Sequence, residues 1–259
     1  MLQRFVSVSL AILALTASAH AARRVEARRS IAPDGALSIE LLAGSVHIVG
    51  GSGSEIEVTG SVGDDVEELA LEGTERHVRL EVELRDARNL DDVEAELEIR
   101  LPKGCEVEIE SVGADVTTEG LTGALSIESV HGEARVDAGA REVTVSSVSG
   151  TIVVRGSSAL RELHLETVSG TVEFTGPLAK NGEYGFESVS GAITLELESA
   201  VSASFEISTF GGKIDSDLGP APRKESSFLP GTTLSFSEGA GDADVSIESF
   251  SGTIRIRGK

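Results

Sequence analysis

The chain of 259 residues has no tryptophan, one tyrosine and eight phenylalanines. A core built around large rings is therefore not expected. Val, Ile, Leu and Ala must fill the interior, which suits thin, layered β-structure. Cysteine is nearly absent too. Cys105 stands alone, so no intramolecular disulfide can form, and in an exported protein a lone thiol raises only intermolecular pairing. Positive charge is scarce: 22 Lys and Arg face 43 Asp and Glu, for a net charge of −21. A phosphate backbone or an anionic lipid surface would be repelled, so neither nucleic acid nor such a membrane is expected as a partner. Beyond residue 21 no apolar run is long enough to span a bilayer, and no membrane insertion of the mature chain is expected.

Chemical motifs are missing as well. The histidines (His20, His47, His77, His131 and His164) form no HxH or HExxH cluster. Residues 63–65 and 241–244 are acidic but fit neither the EF-hand loop nor the Gly-rich calcium nonapeptide. Phosphate-loop and dinucleotide glycine patterns are absent, and no G-x-S-x-G elbow occurs. No catalytic, cofactor-binding or metal-binding residue is therefore singled out, and the protein is not expected to be an enzyme.

What is present begins with a secretory signal. Arg4 supplies a short basic region, Phe5 to Leu15 an apolar run, and Ala17-Ser18-Ala19 and Ala19-His20-Ala21 two small-x-small cleavage patterns. Cleavage after Ala21 is favoured. This divides the chain into a 1–21 signal peptide and one 22–259 domain, exported to the periplasm or the outside. No Cys lies near the cleavage site to take a lipid.

Residues 31–100 alternate polar and apolar with period two, as half-buried strands do, at 36–41, 45–48, 55–59, 77–84 and 93–101. Only residues 64–71 could form a helical turn. From Val107 onward a repeat takes over, with the phrase Ser147-Val148-Ser149-Gly150 recurring as Thr167-Val168-Ser169-Gly170 and Ser188-Val189-Ser190-Gly191. With the glycine as position zero, the zeros are Ala114, Gly132, Gly150, Gly170, Gly191, Gly212 and Gly252, spaced by 18, 18, 20, 21, 21 and 40. The last gap is near twice the period, which suggests a copy whose phrase is lost between Pro220 and Ser237.

Apolar residues fill positions −7 (Val107, Leu125, Val143, Leu163, Tyr184, Phe205, Val245) and −5 (Ile109, Ile127, Val145, Leu165, Phe186, Ile207, Ile247). They also fill −2 (Val112, Val130, Val148, Val168, Val189, Phe210, Phe250) and +2 (Val116, Ala134, Ile152, Val172, Ile193, Ile214, Ile254). Such columns indicate stacked units, each unable to bury its apolar face alone. The odd and even sets lose phase between the Ser/Thr at −3 and the residue at −2. A corner there would bring both sets inside, and glycine at zero would permit the angles it needs. Phe174, Phe186, Phe205, Phe210 and Phe250 are read as core. Cys105, in phase with Val107 and Ile109, is read as a small buried apolar residue. The expected fold is all-β: a single-domain parallel β-solenoid of short strands with 18–21-residue repeats, right-handed by preference. Eight rungs would make a rod of roughly 40 Å. The last strand, with Arg255, Arg257 and Lys259, is expected to blunt the terminal edge with charge.

Two polar columns remain. The hydroxyls at −3 (Ser111, Ser129, Ser147, Thr167, Ser188, Thr209, Ser249) would bond each other or nearby backbone. Seven equivalent copies argue for structure rather than for a nucleophile. The carboxylates at −4 (Glu110, Glu128, Glu166, Glu187, Glu248) form a solvated face, or a face that recruits cations or a basic partner.

At these columns the sequence resembles the bacterial DUF4097 family, whose members carry an adhesin label. The resemblance rests on Leu101-Pro102-Lys103-Gly104 leading into Glu108-Ile109-Glu110-Ser111-Val112, on the recurrent Glu-Ser-Val-x-Gly copies, and on residues 247–254. It spans about Ile31 to Arg257 and implies an exported β-solenoid with no established catalytic residues. The expected function is an exported, non-enzymatic interaction or structural module, adhesin-like, monomeric, with an envelope protein or a polysaccharide as partner. The alternatives are a polysaccharide-acting β-helix enzyme and a self-assembling solenoid filament.

Overall fold

The computed structural model describes residues 22–85, 93, 95–157, 159–198, 200–224 and 230–258. The expected signal peptide and Lys259 lie outside them. Among the described residues every regular element is a strand. Two long strands, β2 (Ala36–Gly51) and β7 (Glu106–Glu119), run through a corner and so belong to two faces. The shorter strands divide between those faces.

The first face carries β4 (Val66–Thr74), β5 (His77–Leu84), β8 (Leu125–Ser129), β10 (Glu142–Ser147), β12 (Glu162–Thr167) and β14 (Glu183–Ser188). It continues with β16 (Ala203–Thr209), β18 (Arg223–Lys224), β19 (Thr232–Glu238) and β20 (Ala243–Ser249). Its spatial order is β4-β5-β2-β7-β8-β10-β12-β14-β20-β16-β19-β18. The second face carries β1 (Arg23–Ser30), β3 (Glu55–Val62), β6 (Ala95–Pro102), β9 (Glu133–Ala138), β11 (Thr151–Gly156), β13 (Thr171–Gly176), β15 (Ala192–Leu197), β17 (Lys213–Ser216) and β21 (Thr253–Gly258). Its order is β1-β3-β6-β2-β7-β9-β11-β13-β15-β21-β17.

The stack is thus a parallel solenoid of nine levels, about 38 Å long at the usual strand spacing. Positions −7, −5 and +2 are buried at every level, and the two faces close one continuous apolar core over them. The period-two stretches of residues 31–100 fall on strands, as their alternation predicts, except that β6 begins only at Ala95 and residue 94 lies outside the described residues. Residues 64–71 are no helical turn: β4 pairs antiparallel along β5.

The order of levels departs from the order of the chain at both ends. β2 lies between the β5–β6 level and β7, although both of those come later in sequence. The last rung, β20–β21, lies between β14–β15 and β16–β17. The described residues between Pro220 and Ser237 do not form the expected phrase-less copy of the repeat. That segment instead includes β18 and β19, and β19 runs antiparallel along β16 and covers its outer edge. The expectation that the last strand guards an edge is also overturned. β21 is interior, paired on both sides. Arg257 pairs with Asp215 at 2.9 Å and Asp217 at 3.4 Å across to β17, and its hydrogen bond holds the Asp215 carboxyl below the usual carboxylate range. At the other end β4 covers β5, and β1 and β3 cover β6. The Arg29 guanidinium reaches from β1 to the carbonyls of Leu71 and Gly73 on β4, tying the two covers together.

Candidate binding face

The corner is where sequence phase and structure part. Each first-face strand keeps strict alternation through −7, −5 and −3. The hydroxyl column is therefore inside: Ser111, Ser147, Thr167, Ser188, Thr209 and Ser249 are buried. The chain turns only after −2, so the −2 column points outward. Val130, Val148, Val168, Val189, Phe210 and Phe250 are exposed, from 37% for Val130 to 58% for Phe250. They are not core, and Phe210 and Phe250 are corrected with them, whereas Phe174, Phe186 and Phe205 are fully buried.

The expectation that the −3 hydroxyls bond each other or nearby backbone holds for Ser111, Ser129 and Thr209, whereas Ser147 Oγ, Thr167 Oγ1, Ser188 Oγ and Ser249 Oγ are buried without a partner among the described residues. Thr209 Oγ1 accepts the N–H of Gly212 at 3.0 Å, and the Ser111 hydroxyl donates to Ser129 Oγ at 3.0 Å. The backbone of the corner stays bonded from level to level. Val148, Val168, Val189, Phe250 and Phe210 each donate their N–H to the −3 carbonyl of the level below. These N–H groups have no free bonding capacity to offer an added strand.

What the face does offer is side chains in rows. In stack order the ridge reads Val130, Val148, Val168, Val189, Phe250, Phe210. The last two rings stack, 5.1 Å between centroids and 11° between planes. Half-buried Val112 and Leu42 continue the row at the β7 and β2 levels. Beside it, two residues earlier on each strand, run exposed Glu110, Glu128, Glu166, Glu187 and Glu248, with Ser146 and Ser208 filling the other levels. The register adds Glu40 and Glu81 to this column, which sequence spacing did not show because the pairing of β2 with β7 and with β5 is not local. Glu40 is neutralised by Arg79 at 2.6 Å. Among the described residues the five carboxylates of the repeat have no ion-pair partner. Between ridge and carboxylates lie three shallow depressions of about 430, 390 and 350 Å³. Neighbouring depressions share Glu110 and Ser111, then Glu166, so together they form one groove along the rod.

Several titratable groups elsewhere are engaged in structure. Cys105 is fully buried, its thiol pushed up by burial, and donates to the Ala32 carbonyl at 3.4 Å. Tyr184, buried in the −7 column, accepts the Ala179 N–H at 2.7 Å and donates to the Leu160 carbonyl at 2.8 Å. His131 contacts Ser149 Oγ at 2.5 Å and His47 faces Glu119 at 3.5 Å, on different levels. No group of three or more His, Cys, Asp or Glu is placed to hold a metal among the described residues.

With this geometry in place, comparison with known proteins decides the family. The family described as Toastrack DUF4097 matches residues 35–257. The chain belongs to the DUF4097 family. Solved structures similar to this DUF4097 chain include a candidate cell-adhesion protein from Clostridium sporogenes, at 14% identity over 92% of this chain and 100% of that chain, with a TM-score of 0.37. A candidate adhesin from Bacteroides fragilis gives 11% identity, 90% and 97% coverage and a TM-score of 0.46. A candidate lipid-binding protein from Parabacteroides distasonis gives 9% identity, 90% and 96% coverage and a TM-score of 0.38. No curated protein matches the chain.

Proposed function

We propose that this protein is an exported, non-catalytic interaction module of the cell envelope, adhesin-like in that a rod presents one long binding face. The observation that carries this reading is the ridge: six consecutive levels each expose a valine or phenylalanine. Burying those side chains against the core would follow the ordinary rule for a stacked repeat. A contiguous apolar stripe rimmed by polar residues marks an interaction site rather than a scattered surface hydrophobe. The carboxylates beside it form a ladder, with no single pair set apart as glycoside hydrolysis requires. This weighs against the polysaccharide-cleaving alternative. Antiparallel covers on β5, β6 and β16 weigh against end-to-end filaments and favour a monomer. The signal-like residues 1–21 support export to the periplasm or beyond.

The test is photo-crosslinking in the producing cell. A crosslinking residue is placed at Val148 or Val189 on the ridge, and at Glu173 or Thr194 on the outside of the second face. Adducts from the ridge positions alone are expected. Equal adducts from both faces, or none from either, would sink the reading.

A further inference from the structure

The ridge and the glutamates also constrain the shape and charge of what they hold. Ridge side chains repeat once per level, about 4.8 Å apart, so the six exposed ones span about 24 Å. An α-helix laid along the rod presents one apolar contact per turn, every 5.4 Å, and covers that span in about 16 residues. The mismatch of about 0.6 Å per level accumulates to about 3 Å over the five intervals, or about 1.5 Å at either end of a centred helix, which flexible side chains absorb. An extended strand along the same line presents a side chain to the face every 6.6–6.8 Å or so and slips out of step within two levels. Nor can a strand be added by backbone pairing, because the corner N–H groups are already bonded between levels.

Charge fixes the rest. On the first-face side of the ridge stand Glu110, Glu128, Glu166, Glu187 and Glu248, exposed and without ion-pair partners among the described residues. On the corner side stand mostly serine and glycine: Ser149, Ser169, Ser190, Ser251 and Gly211. The anionic row is therefore one-sided. A second copy laid antiparallel on the ridge would bring its own glutamate row onto this one, where like charges repel, and a parallel copy would set its row against the serine and glycine flank, leaving both rows without a cation. A neutral sugar chain would use the stacked Phe210–Phe250 pair but would leave the valine levels and the charges without a role.

We propose that this groove takes a cationic amphipathic α-helix of a partner protein, lying along the rod, with an apolar stripe on the ridge and Lys or Arg toward the glutamates. This rests on the reading of the protein as a binding module and names the class of its partner. Helix-in-groove recognition of this kind reads anchors at i, i+3/i+4 and i+7.

The experiment titrates the purified chain with three labelled 20-residue peptides, followed by fluorescence anisotropy. One has a leucine stripe at helical spacing and lysines along one flank. The second has the same composition in permuted order. The third has glutamate for lysine. The patterned peptide is expected to bind at least tenfold more tightly than either control. That binding should weaken about tenfold in the Glu166→Lys/Glu187→Lys variant and in the Val168→Ser/Val189→Ser variant, whose folding is checked by circular dichroism. If a variant does not fold, a benzophenone on the peptide maps the contact on the unaltered chain, with adducts expected at residues of the ridge. Equal binding of the permuted peptide, or adducts on the second face, overturns the proposal. Failure of the patterned peptide together with ridge-specific crosslinks in the cell overturns the helix and leaves the binding module standing. Failure of both removes both.

Discussion

Tyr184 occupies the −7 column between Leu163 and Val245, where its neighbours present only hydrocarbon. Its ring packs against Phe174 at 5.9 Å, and its hydroxyl holds Ala179 and Leu160 together under the loop that follows β13. Replacing it by Phe leaves a buried N–H and a buried carbonyl without their partner. A loss of about 1–3 kcal/mol in urea denaturation is expected. Burial also raises the pKa of this phenol above its ordinary value of 10.0. The neutral form is therefore favoured by folding. Stability from this group is complete below the unfolded value, near pH 10, and is lost as pH rises through the folded value. Tyr184 is the chain's single tyrosine and there is no tryptophan, so absorbance near 295 nm reports it alone. Tyrosinate should form together with alkaline unfolding, not ahead of it. A free titration near pH 10 in the folded chain would contradict the burial.

At the scale of the element, the corner glycine acts through space more than through backbone angles. Of the zeros that are glycine, Gly132 and Gly150 have positive φ, at 107° and 155°, and Gly170, Gly191, Gly212 and Gly252 do not. A Cβ at Gly212 would lie 2.0 Å from the carbonyl oxygen of Gly252, the level beneath it. A Cβ at Gly191 would lie 1.9 Å from that of Gly170. The levels touch here backbone to backbone. The residue before it is different: a Cβ at Gly211 finds Phe250 O at 3.6 Å, an ordinary contact, and other levels carry serine at that place. Gly212→Ala should therefore cost about 1–3 kcal/mol of overpacking, while Gly211→Ala in the same corner stays near neutral. Thermal melts of the two variants compare them directly, and equal effects would remove the steric account. The glycine column was legible in the sequence; its reason was not, because contact between levels depends on register. The −2 column was misread for a different cause. Strict period two through −7, −5 and −3 puts Val148 and Phe250 outside and Ser147 and Ser249 inside. Hydrophobicity argues the reverse. Parity of the strand decided the matter, and the hydroxyls are small enough to be buried at a turn.

Over the whole molecule, the repeat columns made the solenoid and its core readable, since each level satisfies the same pattern. The order of the levels was not readable, because every rung carries equivalent pairing signals and nothing local tells Gly191 which neighbour to accept. Carbonyl contacts give the order independently of the strand register: Gly252 sits on Gly191, and Gly212 sits on Gly252. In chain order β16, β17 and β19 come first, and β20 and β21 then run back through the penultimate level. This changes what truncation does. In a linear solenoid, removing the last repeat costs one repeat and one interface. Here a chain ending at residue 240 loses β20 and β21 from the interior, with fully buried Val245, Ile247, Ile254 and Ile256. β14 and β15 are left with an open edge, and β16 and β17 lose the parallel strands that hold them to the stack. Such a chain should lose the order of β16, β17 and β19 as well, seen as rapid amide exchange there and a broadened, lowered melt. Removing residues 22–30 deletes only β1, an outer strand paired on one side, and should lower the melting temperature slightly with the transition still cooperative. Equal, small shifts for the two truncations would show that the last rung lies at the end of the rod and not inside it.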